Sequence, residues 1–79
     1  MDFGTGLRVV RAVRGMSQRQ VREITGIDPR YLSEIETGKI FANPDWDARI
    51  RAALGWTPAV DAALEALVVA LDEAKEEAA

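Results

Sequence analysis

All three prolines of this chain fall where a helix can start, and four of its six glycines fall where one can stop. That punctuation constrains the fold more than any other feature, because proline is tolerated at a first helical turn and glycine readily takes the left-handed conformation that ends one. Thr5 is expected to cap a first helix running to Arg14, with Gly15 as its stop. Ser17 caps a second that ends before Gly26. Asp28 and Pro29 start a third, to Glu36, closed by Thr37 and Gly38. Pro44 and Asp45 open a fourth through Leu54, stopped by Gly55, and Thr57 with Pro58 opens a fifth towards Ala78. No stretch alternates apolar and polar residues as a hairpin would. The expectation is an all-α fold of five helices without a sheet. Apolar stripes at helical spacing supply its core: Leu7, Val10 and Arg14 widened by Val9 and Val13, then Val21 with Ile24, Leu32 with Ile35, and Trp46, Ile50 and Leu54.

At 79 residues the chain can close one modest core, too small for a deep cleft with a lid. It has no cysteine and no histidine, which removes the usual zinc ligands, disulfides and the commonest general base. No glycine-rich phosphate loop occurs either. The reading is a non-enzymatic binding module with no catalytic residues, no metal, no cofactor and no small-molecule ligand. The opening MDFGTGLRVV lacks a basic segment followed by an apolar run, so no secretory signal is expected, and no apolar run approaches a membrane span. A soluble, cytoplasmic protein with no membrane partner follows as the expectation.

The net charge of -3 hides an asymmetry. Residues 1–56 hold nine Lys or Arg against seven Asp or Glu, a balance of +2, whereas residues 57–79 hold one against six, a balance of -5. A basic surface, where present, belongs to the first part.

The stretch SQRQVREITGIDPRYLSEIETGK, residues 17–39, pairs two short helices across Gly26 and Ile27. Glycine there accommodates the positive φ of a three- to four-residue turn between steeply crossed helices. With Leu7, Val10, Arg11, Gly15, Met16, Pro44 and Ala53-Leu54-Gly55, this stretch resembles the lambda-repressor-like helix-turn-helix family of phage repressors, Cro proteins and bacterial regulators. The resemblance runs from Leu7 to Trp56. It implies a compact five-helix fold with an extended C-terminal helix, in which residues 1–56 are the DNA-binding domain with its helix-turn-helix at 17–37 and residues 57–79 the C-terminal helix, acting in the cytoplasm of a bacterial or phage-infected cell.

Carried over by position, the resemblance makes residues 29–36 the recognition helix in the major groove of double-stranded DNA, with Pro29, Arg30, Ser33 and Glu34 outward as base readers. Arg30 could fork to guanine and Glu34 could accept from cytosine, or Glu34 could instead orient Arg30 as a surface pair. Gln18 matches a residue that meets a phosphate and braces the recognition helix. Ser17, Arg19, Tyr31 and Lys39 join it along the backbone, with Tyr31 equally readable as partly core. Arg11 and Glu36 match a structural ion pair between the first and third helices. Two departures stand out. Position five of the motif, usually alanine, is Arg22, which must snorkel outward or spread the helices. The loop Ile40–Asn43 is non-basic, and Ile40 and Phe41 read as core or interface.

In residues 57–79, Val60, Leu64, Leu67, Leu71, Ala74 and Ala78 share one seam, broadened by Val68 and Val69. A helix of about 20 residues spans roughly 30 Å, more than so small a core covers. The expectation is core closure by the first turns and homodimerisation through Val60, Leu64, Leu67, Val68 and Leu71, with Val9 and Val13 of the first helix as further candidates, on a palindromic operator. The alternative is a protein-interaction module, an antitoxin or assembly adaptor, that keeps the fold and uses the last helix for another protein.

Overall fold

The computed structural model describes residues 1–78, with Ala78 described in its backbone alone. Among these the chain forms α1 (Phe3–Arg14), α2 (Gln18–Thr25), α3 (Pro29–Glu36), α4 (Pro44–Leu54) and α5 (Pro58–Ala78), and no strand. Four of the five helices start and end where the punctuation places them. The exception is α1, which begins two residues early: Asp2, not Thr5, is its cap, accepting from the Thr5 backbone N–H at 2.8 Å and from the Thr5 hydroxyl at 3.2 Å. These bonds, the backbone one first, hold the Asp2 carboxyl below the usual carboxylate range.

The early start puts Gly4 and Gly6 inside a helix, against their propensity. Packing explains both. A Cβ on Gly4 would run into the backbone carbonyl of Ile35, and one on Gly6 would stand 2.8 Å from the Trp56 ring. Both glycines are buried, and they let α1 lie against the end of α3 and against the α4–α5 connection.

The core is built from Leu7, Val21, Ile27, Leu32, Ile50 and Leu54, all fully buried, with Val10, Ile35, Trp56 and Leu64 around them. Two expected core positions lie elsewhere, and of the two residues read as core or interface Phe41 is not in the core. Val13 and Ile24 are exposed because α1 and α2 are each covered on one side only, and Phe41 is 96% exposed at the tip of its loop while Ile40 is half-buried. Arg14, read on the inner stripe, sits at its edge and donates through Nε to the Leu54 carbonyl at 2.9 Å, satisfying one orphan acceptor at the end of α4.

The α4–α5 connection is fixed by a cluster that the stripes do not reveal. Phe3 stacks on Trp56 with centroids 5.1 Å apart, and the Arg51 guanidinium lies over both rings, 5.2 and 4.7 Å from their centroids. Arg51 also bonds Asp47 at 2.6 Å and Asp61 at 3.2 Å, and the Trp56 indole N–H donates to Asp61 at 2.8 Å. Burial opposes the Arg51 charge, but its bonds to the two aspartates outweigh that and hold it above its ordinary range. The bond from Trp56, then that from Arg51, holds the Asp61 carboxyl down.

A carboxylate depressed in the folded state stabilises the fold above its unfolded pKa, about 3.9 for Asp, and loses that contribution as pH falls through the folded value. The Trp56 environment is therefore expected to persist at neutral pH and to loosen only below about pH 4. Emission of Trp56 in a Trp46→Phe background measures this, and an Asp61→Asn variant should flatten the acid limb.

α5 has 21 residues, hence a length of about 31 Å. The molecule measures 43 Å along its long axis and 25 by 23 Å across, so much of α5 extends beyond the other helices. Leu64 is buried and Val60 half-buried against the core. Further along, Val68 is half-buried, whereas Leu67, Val69 and Leu71 are exposed. Ala74 is exposed too, and the side chain of Ala78, the last seam position, lies outside the described residues. Among the described residues no single helix is long and apolar enough to cross a membrane.

Candidate nucleic-acid interface

The angle between α2 and α3 is set locally. Ser17 and Gln20 form a reciprocal capping box at the start of α2: the Ser17 hydroxyl oxygen accepts from the Gln20 N–H, and the Gln20 side-chain oxygen accepts from the Ser17 N–H. At the other end Gly26 takes φ +76°, and its N–H reaches the Arg22 carbonyl at 2.7 Å. Buried Thr25 donates its hydroxyl to the Val21 carbonyl at 2.8 Å and accepts from the Ile27 N–H at 3.2 Å, tying the turn to the helix before it. Asp28 then caps α3 by accepting from the Arg30 N–H at 2.8 Å, with Pro29 in the first turn. Arg22 is exposed, so the long side chain at the motif's fifth position points away from the buried helix contact.

A second set of bonds holds α3 against its neighbours. Arg11 donates through Nε and Nη2 to Glu36 Oε1, at 2.9 and 2.8 Å, and through Nη1 to the Met16 carbonyl at 3.0 Å. Gln18 Nε2 donates to the other oxygen, Glu36 Oε2, at 2.5 Å. The Glu36 side chain is only 3% exposed and that of Arg11 24%. A buried carboxylate thus receives three N–H bonds from α1 and α2, the condition for keeping a charge out of water. Among the described residues no buried side-chain polar atom lacks a partner.

What α3 presents outward is the edge of Arg30 and Ser33, both exposed, with Pro29 and Glu34 half-buried beside them. Arg30 Nε lies 3.5 Å from Glu34 Oε1, so in the free protein the two form a surface pair one turn apart. Tyr31 is partly exposed, its ring tilted against Trp46 at 5.6 Å between centroids. Arg19, Arg22 and Lys39 are exposed and, among the described residues, in no ion pair, unlike Arg49 and Arg51. Arg49 pairs with Asp45 and also reaches the Thr25 carbonyl at 3.4 Å. Among the described residues of α1 to α4, the exposed cations outside ion pairs are thus Arg8 and Arg14 on α1, Arg19 and Arg22 on α2, and Lys39 just past α3.

Two short helices crossed at a left-handed glycine, with the second braced from behind and exposing arginine, are the parts of a DNA-reading unit. The model of the "Helix-turn-helix domain" family matches residues 2–79. The chain belongs to this helix-turn-helix family. No curated protein and no solved structure matches it. The helix-turn-helix match extends over α5 as well as over the two crossed helices, and the family is a DNA-binding one.

Several residues that shape this helix-turn-helix site escape the sequence reading. Gln20 was recoverable, since Ser-x-x-Gln before a helix is a capping-box signature. Thr25 and Arg14 were not, because their hydroxyl and guanidinium donate to backbone carbonyls, which have no residue signature.

Proposed function

We propose that the chain is a sequence-specific, double-stranded DNA-binding transcriptional regulator of the lambda-repressor-like type, comparable to Cro proteins and phage repressors. It acts as a homodimer on a palindromic operator in the cytoplasm of a bacterial or phage-infected cell. Residues 1–56 form the DNA-binding unit, and residues 57–79 close the core and dimerise.

The observation that carries this reading is the braced, outward edge of α3. Arg30 and Ser33 face solvent on a helix whose C-terminal end is anchored by Glu36 to both α1 and α2. Such a helix enters the major groove as a rigid body, with the cost of ordering met on folding rather than on binding. Arg30 reads guanine. Glu34 either accepts from cytosine or aligns Arg30. Gln18 keeps one N–H on Glu36 and turns the second to a phosphate, with Ser17, Arg19, Tyr31 and Lys39 along the same backbone.

Selection of bound duplexes from a random library tests it. The expected outcome is a palindrome, and Arg30→Ala relaxes one base position per half-site by about 1–3 kcal/mol, roughly 5- to 150-fold. Lys39→Ala should instead weaken all sequences alike and reduce the salt slope by about one.

The second reading, a protein-interaction module, is favoured by the exposed Phe41 in the stretch Ile40–Asn43, which carries no basic residue. No enriched sequence, with only weak salt-sensitive binding, would select it over the first.

A further inference from the structure

α1 and α5 leave an open apolar groove of about 570 Å³ between them, lined by Val9, Val13, Val60, Ala63, Leu64 and Leu67, with Arg14 at its rim. Beyond it the seam of α5 continues through Leu71, 59% exposed, and Ala74. One element thus carries both an unfilled groove at its start and an unused apolar edge at its end. We infer that the second copy fills the groove antiparallel: the distal half of α5, from Leu67 to Glu77, lies along the first half of its partner's α5 and against α1. The inference rests on the dimer reading above and adds its orientation.

Symmetry and charge argue for this orientation. In a two-fold contact, if Leu71 of one copy reaches Leu64 of the other, the reverse also holds. With the axis near Leu67 and Val68, one groove receives each distal seam, and both are filled at once. Residues 72–77 carry Asp72, Glu73, Glu76 and Glu77 against Lys75, a balance of -3. A parallel pair would bring two such ends side by side and leave both grooves open. The antiparallel pair instead delivers each acidic end to the start of the partner's α5, the positive end of that helix dipole, next to Arg14. Arg14 is exposed and, among the described residues, in no ion pair; its Nε rests on the Leu54 carbonyl. Asp61, the carboxylate nearest that helix start, is already bonded by Arg51 and the Trp56 indole.

The chain has no cysteine, so single thiols report orientation without background. Ala63 and Ala74 are both exposed, and replacing either with cysteine leaves the core untouched. In the antiparallel pair, Ala74 of one copy lies within about a turn of Ala63 of the other, while the two Ala74 positions are about 20 Å apart along the axis, beyond the roughly 7 Å that a disulfide bridges. Full-length Ala63→Cys and Ala74→Cys proteins, oxidised singly and as a mixture, are compared on a non-reducing gel and by intact mass. Sedimentation fixes the oligomeric state of each. Cross-linking confined to the mixture supports the inference. Efficient cross-linking of Ala74→Cys with itself, or a dimer that cross-links in neither way, overturns it and leaves the dimeric regulator standing. A monomer at high micromolar concentration, with no dimer on DNA, overturns both.

Discussion

Arg11→Ala is expected to destabilise the domain by about 3–5 kcal/mol, the usual range for stripping one partner from a buried ion pair. At roughly 0.05–0.15 kcal/mol per residue, a chain of 79 residues has only about 4–12 kcal/mol in total, so the variant should lose from about a quarter of its stability to all of it. The two partners are not equivalent. Removing Arg11 leaves a carboxylate that is 3% exposed with a single remaining donor, Gln18, and water cannot reach it; removing Glu36 leaves a guanidinium that is 24% exposed and can partly rehydrate. Arg11→Ala should therefore be worse than Glu36→Gln, and adding Glu36→Gln to Arg11→Ala should recover part of the loss by taking away the stranded charge. Urea midpoints of the two single variants and the double decide it. Equal, additive losses would mean that the pair is held by packing and not by charge.

DNA binding should follow the same order. Glu36 ties α3 to two other helices through three bonds, so a variant that still folds but lacks the brace presents Arg30 and Ser33 at a less fixed angle. Its affinity should fall for the preferred sequence more than for random duplex, since phosphate contacts tolerate misplacement and bidentate base contacts do not.

Most of the fold was legible because the signals were local. Ser17, Asp28 and the glycines at 15, 26, 38 and 55 announce their caps within a few residues, and four of the helices follow them. What failed did so for tertiary reasons. Thr5 is a residue type suited to a cap, but Gly4 and Gly6 lie inside the helix, and only the approach of α3 and Trp56 shows why a helix tolerates them. Val13 and Ile24 sit at good apolar spacing, yet no element covers them. The candidate site divides along the same line. The outward positions of α3 follow from helical period, whereas the three-bond saturation of Glu36 and the placement of Arg51 over Phe3 depend on contacts between residues far apart in sequence, which period alone cannot locate.

Gly4→Ala is expected to destabilise the domain by about 3 kcal/mol, the upper part of the range for overpacking a tight contact. In an exposed helix the same change would stabilise by about 0.8–1.0 kcal/mol, because alanine loses less backbone freedom on folding. The sign inverts here because the new methyl meets the Ile35 carbonyl, and the Glu36 carbonyl stands 3.2 Å away on the other side. Both are backbone atoms of the last turn of α3. They cannot rotate aside; the whole of α1 or α3 must shift, and α3 is the helix whose placement Arg11 and Gln18 secure. Gly6→Ala offers the control, since its obstacle is the edge of the Trp56 ring, a side chain able to tilt, and it should lose no more than about half as much. Thermal and urea unfolding of the two variants measure the difference. If Gly4→Ala were as stable as the parent, α1 could not lie against α3 as closely as described. The unfolding loss should be matched by weaker DNA binding in whatever fraction remains folded, because the strain is stored at the end of the helix proposed to enter the major groove.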